Sequence, residues 1–207
     1  MTKLFLSSSF ADVSEFLEPF LKKTLENLTV TFIPTASIPE VYKGYVDRDR
    51  NAFEKLGLII DELDISTTPA HQIEETINKN DLIFISGGNT FYLLQELKNS
   101  KADTIITKAI KKGKTYIGAS AGSIILSRDI RYVEKIDDKT KAKKLSGYNA
   151  LNVVDFFTLP HHTNEPFKTM VEEIIIDYKD KIDLLPISNT EVIQVSGEKV
   201  NIIGTKL

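Results

Sequence analysis

The hydrophobic positions of this chain fall into short β-branched or aromatic runs separated by stretches with helical spacing, and the alternation begins almost at the first residue. Leu4-Phe5-Leu6 opens as a strand. Residues 12–28 follow with Phe16, Phe20 and Leu21 at helical spacing, and Pro19 is placed to kink or restart that helix. Residues 29–33 form a β-branched strand stopped by Pro34; residues 39–56 read as an amphipathic helix closed by Gly57. A strand over 58–63 and a short helix over 71–77 come next. The centre is clearer: strand 81–85, turn 86–90, helix 91–97, helix 103–112 ended by Gly113, strand 114–117 and helix 120–126. Beyond a polar region at 129–148, the pattern predicts a strand over 153–159 and a helix over 167–178. Residues 191–195 and 200–203 pair through Ser196-Gly197-Glu198, a hairpin signal.

The central strands are apolar throughout instead of alternating, which is the pattern of a parallel sheet covered on both faces. The expected fold class is α/β: a three-layer α/β/α sandwich with a mostly parallel central sheet and a C-terminal β-hairpin, forming a single domain over 1–207. Ligands of such sheets bind beyond the carboxyl ends of the strands. Two glycine-rich turns, 86–90 and 118–122, lie at ends of that kind.

Composition narrows the chemistry. The chain has 207 residues, 42% of them hydrophobic, enough for one buried core. With 26 Lys plus Arg against 29 Asp plus Glu, the net charge is −3, which offers nothing to nucleic acid or to an anionic membrane. The densest basic run, Lys139 to Lys144, reads as a solvated loop. The absence of cysteine excludes disulfides, thiolate chemistry and Cys-ligated metals. The N-terminal apolar run is too short for a signal peptide and no run approaches a membrane span, so a soluble cytoplasmic protein is expected.

Gly118-Ala119-Ser120-Ala121-Gly122 has the G-x-S-x-G form of a nucleophile elbow, with a strand before it and a helical pattern after it. Small neighbours are needed because the turn is tight and the helix crosses close to the strand. Such a corner projects the Ser120 hydroxyl and aims the Ala121 N–H at any oxygen that becomes negative. The alternative is a serine that N-caps the helix. Ser86-Gly87-Gly88-Asn89-Thr90 could supply a second amide, or be an ordinary turn with Asn or Thr as the cap. A serine needs a base, and the chain has three histidines. His71 suits the surface. His161 and His162 follow Pro160 at a strand end, and being adjacent they point apart, so at most one faces Ser120. They also read as loop residues or a metal pair, the latter disfavoured because no acidic cluster completes a site.

The segments YIGASAGS, SGGNTF and LPHHTN together resemble the peptidase E family of serine peptidases, which includes α-aspartyl dipeptidases, has the cyanophycinases as relatives, and shares its fold with class I glutamine amidotransferases. The resemblance runs through most of the chain. It implies Ser120 as nucleophile, His161 as general base, Gly88 and Ala121 as oxyanion-hole donors, and Asn89 and Thr90 as substrate contacts, with no cofactor and no metal. This sequence departs from the family pattern twice. The glutamate expected after Leu185-Pro186 is replaced by Ile187, so Ser188, Asn189, Glu191 or Asp155 is left to orient the histidine. A neutral partner would stabilise the imidazolium less, which implies a slower enzyme. The arginine that binds a substrate carboxylate downstream of P-H-x-T-N is also missing, with Lys168 as a point-charge substitute. The resemblance alone therefore does not imply specificity for N-terminal aspartate.

The expected function is a serine hydrolase or peptidase that cleaves short peptides or a small amide through an acyl-enzyme. The alternatives are an esterase and a non-catalytic protein of the same fold that binds a small ligand. Small acyl substrates are the expected partners, and the terminal hairpin leaves a homodimer open.

Overall fold

The computed structural model describes residues 1–204. In chain order the elements are β1 Lys3–Ser7, α1 Phe10–Val13, α2 Leu17–Leu21, β2 Thr29–Ile33, α3 Gly44–Lys55, β3 Ile59–Glu62, α4 Ala70–Lys79, β4 Leu82–Ile85, α5 Thr90–Ser100, α6 Ala102–Lys111 and β5 Thr115–Ala119. They continue with α7 Ala121–Ile124, β6 Phe157–Leu159, α8 Lys168–Tyr178, β7 Leu184–Pro186, β8 Glu191–Ser196 and β9 Lys199–Gly204. The main sheet has seven strands in the order β3-β2-β4-β5-β1-β8-β9. The first five run parallel; β8 and β9 add an antiparallel hairpin at one side. A separate parallel pair joins β6 and β7.

Period-two alternation sends the apolar strand residues to two cores. Leu4, Leu6, Ile83, Ile85 and Tyr116 face one side, under α4, α5, α6 and α8. Phe5, Phe32, Phe84 and Ile117 face the other, under α1, α2 and α3. Both faces are covered, which is why the central strands carry no polar alternation. The second core is aromatic: Phe10 stacks on Phe53 at 4.1 Å, and Phe84 lies 4.9 Å from both Phe32 and Phe53. Truncating one such enclosed ring to alanine costs about 3–5 kcal/mol. This packing fixes the ends of β4 and β5, where the two glycine-rich turns emerge side by side.

Several boundaries differ from expectation, each for a local reason. The helix over 12–28 is broken: a 3-10 turn spans Ser14–Phe16, and α2 ends at Lys22, which is left-handed with φ 55. Restarting at Leu17 puts Pro19 in a first turn, where its missing N–H is not needed. The helix over 39–56 begins only at Gly44. The strand over 153–159 shrinks to β6, because residues 151–154 instead bond back to the 125–127 segment. β7 has no counterpart in the sequence pattern: its three residues sit in no apolar alternation and take their partners from β6. The 139–144 run is largely exposed, with a 3-10 turn at Lys139–Lys141. No helix among the described residues is long and apolar enough to cross a membrane.

Candidate active site

Ser120 stands between β5 and α7 with φ 48 and ψ −108, a backbone conformation that L residues rarely adopt. Its N–H donates to the Ser7 carbonyl at 2.9 Å, and its own carbonyl accepts from Ser123 and Ile124. The side chain makes no capping bond to α7. The hydroxyl instead lies 2.9 Å from His161 Nε2. The small neighbours are obligatory. A Cβ on Gly122 would lie 2.1 Å from the Ile85 carbonyl oxygen, and one on Gly118 would lie 2.5 Å from the Gly122 carbonyl oxygen. Only glycine lets α7 press this closely on the ends of β4 and β5.

The second turn lies alongside. A Cβ on Gly87 would sit 3.3 Å from the Ser120 Cβ and 3.7 Å from the Tyr45 ring. Gly88 has φ +134, and a Cβ there would lie 2.2 Å from the Ala36 carbonyl oxygen. Neither the Gly88 nor the Ala121 N–H donates to a carbonyl among the described residues. Asn89 caps α5: its Oδ1 accepts from the Tyr92 N–H at 2.9 Å, while its Nδ2 donates to the Asp138 carbonyl at 3.0 Å. Thr90 is fully buried, and its backbone N–H donates to Asp137 Oδ2 at 2.8 Å. The Asn89-Thr90 pair therefore stitches the 137–138 segment to this turn.

His161 arrives from the opposite side. It follows β6 and Pro160 and is itself left-handed, with φ 65. Its N–H donates to Ser8 Oγ at 3.0 Å, and Ser8 Oγ donates to the Ile187 carbonyl at 3.0 Å. The ring stacks on Phe167 at 4.7 Å. Nδ1 lies 2.9 Å from Asn189 Oδ1, and the Asn189 N–H is held by Asn164 Oδ1 at 2.8 Å. An oxygen facing Nδ1 puts the ring proton there and leaves Nε2 bare toward Ser120. Burial lowers the His161 pKa, partly offset by the Asn189 bond, so the ring is kept neutral.

Of the residues considered for orienting the histidine, only Asn189 touches it. Glu191 accepts instead from the Ser188 N–H at 2.8 Å, Ser188 Oγ pairs with Thr190 at 3.3 Å, and Asp155 is exposed. His162 turns away, with Nε2 3.3 Å from Glu172. His71 is exposed at the start of α4.

Ser120 and His161 open onto a cavity of about 580 Å³. Lys168 is exposed at the start of α8 and does not line it; Glu165, Pro166 and Phe167 form that wall. The lining cations are Arg48, from α3, and Lys141, from the run expected to be a solvated loop. Tyr45, Asp49 and Asp137 also line the cavity. Sequence patterns carry no signal for them. Asp137 looks like part of a polar loop until its bond to Thr90 is seen, and Asp49 like the polar face of an amphipathic helix.

The chain matches Peptidase family S51 over residues 4–203. It is 48% identical to an uncharacterized peptidase of Listeria innocua over 97% of this chain and 95% of that one. It is 36% identical to a peptidase E of Shewanella baltica over 78% of this chain and 66% of the relative. A 1.5 Å crystal structure of a peptidase E-like protein from Listeria monocytogenes superposes with a TM-score of 0.95 at 46% identity, covering 100% of both chains. A peptidase from an acI-B1 actinobacterium has the same fold at 18% identity, with a TM-score of 0.71 over 99% of this chain and 88% of that one. Coverage of nearly the whole chain, by profile and by close relatives alike, places it in Peptidase family S51.

Proposed function

We propose that this chain is a serine peptidase acting on short peptides through an acyl-enzyme on Ser120. The single observation that carries the reading is the 2.9 Å approach of Ser120 Oγ to the unprotonated nitrogen of His161, on an elbow whose hydroxyl serves no capping purpose. As Oγ attacks the scissile carbonyl, a C–O bond forms and the hydroxyl proton passes to Nε2. The negative charge gathers on the former carbonyl oxygen, where the Gly88 and Ala121 amides receive it. His161 then gives its proton to the leaving amine, the C–N bond breaks, and water repeats the sequence to free the acid. Asn189 keeps Nδ1 protonated throughout, through a neutral acceptor that stabilises the imidazolium less than a carboxylate would. A slow peptidase is the expected result.

Labelling tests this directly. A neutral fluorophosphonate should modify Ser120, identified by mass spectrometry, and fail on Ser120→Ala and His161→Ala. Dipeptide hydrolysis should fall by about four orders of magnitude in either variant. Absence of labelling at pH 8 would overturn the proposal in favour of a non-catalytic binding protein. Turnover of esters with none of dipeptides would make it an esterase.

A further inference from the structure

A second cavity, of about 690 Å³, lies at the start of β6 and is larger than the one over Ser120. The two share no lining residue, although one short strand reaches both. Phe157, the first residue of β6, lines the second cavity; His161, two residues past its end, lines the first. The floor of the second is aromatic. Tyr132 and Phe157 are almost fully buried and meet edge to face with centroids 5.3 Å apart, and the Tyr132 hydroxyl donates to the Thr158 carbonyl at 2.5 Å. Tyr178, the last residue of α8, and Ile182 add half-buried apolar wall. The segment that carries Arg128 is pinned by backbone: the Ala150 N–H donates to the Arg128 carbonyl at 3.0 Å, and the Ile130 N–H to the Tyr148 carbonyl at 3.1 Å. The cavity is therefore preformed, and its volume is that of a small-molecule site.

The charges on this frame are unequal. Arg131 is occupied by Asp129, whose two carboxylate oxygens accept from Nε and Nη2 at 2.9 to 3.1 Å. Arg128 has no such partner. Its Cζ lies 5.5 Å from the Phe157 ring centroid, and its guanidinium donates to no acceptor among the described residues. Lys181, next to Ile182, holds its Nζ 5.6 Å from the Tyr178 ring centroid and pairs with no carboxylate among them either. The neighbouring acids along the chain, Asp155, Asp180 and Asp183, do not line the cavity and bond to neither cation. In a chain of net charge −3, this corner carries two unmatched cations, each over an aromatic ring of the same cavity. A ring face attracts a cation without using its hydrogen-bond donors. Arg128 thus keeps a planar fork free, the geometry that takes a carboxylate or phosphate on two bonds.

We propose that this cavity binds a small organic anion, its apolar ring on the Phe157 and Tyr178 surfaces and its carboxylate or phosphate on Arg128. The site is separate from the centre at Ser120 and does not depend on the chemistry there. Two sources share the required chemistry, an aromatic carboxylate and a nucleoside monophosphate.

Titration of the wild-type chain at pH 8, followed by ligand-observed NMR, tests the site without any turnover. The probes are 2-naphthoate and adenosine 5′-monophosphate, each beside its neutral counterpart, 2-naphthamide or adenosine, with inorganic phosphate as an anion that has no ring. At least one ring-bearing anion should bind with a Kd below about 1 mM, about tenfold or more tighter than its neutral counterpart and than inorganic phosphate. The stronger of the two identifies carboxylate or phosphate as the group taken. Arg128→Gln, at an exposed side chain, should bring the preference to within about twofold at an unchanged melting temperature. Tyr178→Ala should weaken the same anion about fivefold or more, through loss of the ring surface. Lys141→Gln, on the wall of the other cavity, should leave the preference as it is. No binding of either anion at millimolar concentration, equal binding of the neutral counterpart or of inorganic phosphate, a preference that survives Arg128→Gln, or one abolished by Lys141→Gln would overturn the site.

Discussion

Ser120 and His161 reach the same point by opposite routes. Ser120 is held by backbone. It ends a central strand, its amide bonds to the neighbouring strand, and glycines at 118 and 122 let a helix close over it. His161 is held by side chains from two distant segments, Ser8 and Asn189, and by Phe167 from the turn that follows it, with Asn189 steadied by Asn164. The first arrangement is a steric consequence of local sequence. The second exists only after the whole chain has folded, and each tether is a single hydrogen bond or ring contact. The nucleophile side should therefore break globally, through stability, and the histidine side locally, through rate.

The largest expected effect lies on the serine side. Gly122→Ala would drive a methyl into the Ile85 carbonyl, forcing β4 or α7 to move. We expect a loss of about 3 kcal/mol or more, read as a melting-temperature drop of roughly 6 °C or greater, together with loss of fluorophosphonate labelling. Full stability with intact labelling would show that the close packing is not what positions Ser120. On the histidine side, Asn189→Ala should leave melting nearly unchanged and lower kcat by about 5- to 100-fold, the scale of one lost hydrogen bond at a buried donor. If it unfolds the protein instead, the contrast between the two halves disappears.

The smallest effect is a shift in pH dependence. The base must be neutral, and burial lowers the His161 pKa, so activity should persist to lower pH than an ordinary imidazole, at 6.5, allows. Inactivation by a neutral phosphonate is the measurement to use, because the probe carries no titrating group of its own. Asn189→Asp would set a carboxylate against Nδ1, favouring the charged ring, and move the acid limb upward by about one unit or more. A limb already above the ordinary value in the native protein, or one left in place by that substitution, would contradict the assignment of Asn189 as the partner of Nδ1.

The same contrast explains what can be read from sequence. The parallel sheet is legible because apolar runs such as residues 82–85 and 115–119 are buried on both faces and bounded by turns. The elbow is legible because steric crowding demands small residues at fixed offsets around Ser120. Asn189 is one candidate among several, since nothing local distinguishes an amide that faces a ring from one that faces water. Ser8 and Phe167 carry no signal as partners of the histidine, and Lys168 attracts attention by its charge although its side chain lies outside the cavity. Tyr45 and Asp137 belong to a helix and a loop whose approach to Gly87 and Thr90 is a matter of tertiary packing alone.

The Ser8 hydroxyl, bonded at once to the backbone of His161 and to the carbonyl of Ile187, joins positions 153 and 179 residues away along the chain. A growing polypeptide thus carries its serine corner long before it has a base for it. On the proposed mechanism there is no working centre until the segment bearing Ile187 and Asn189 has emerged and returned to the first strand, so a product truncated before it would be inert toward its neighbours.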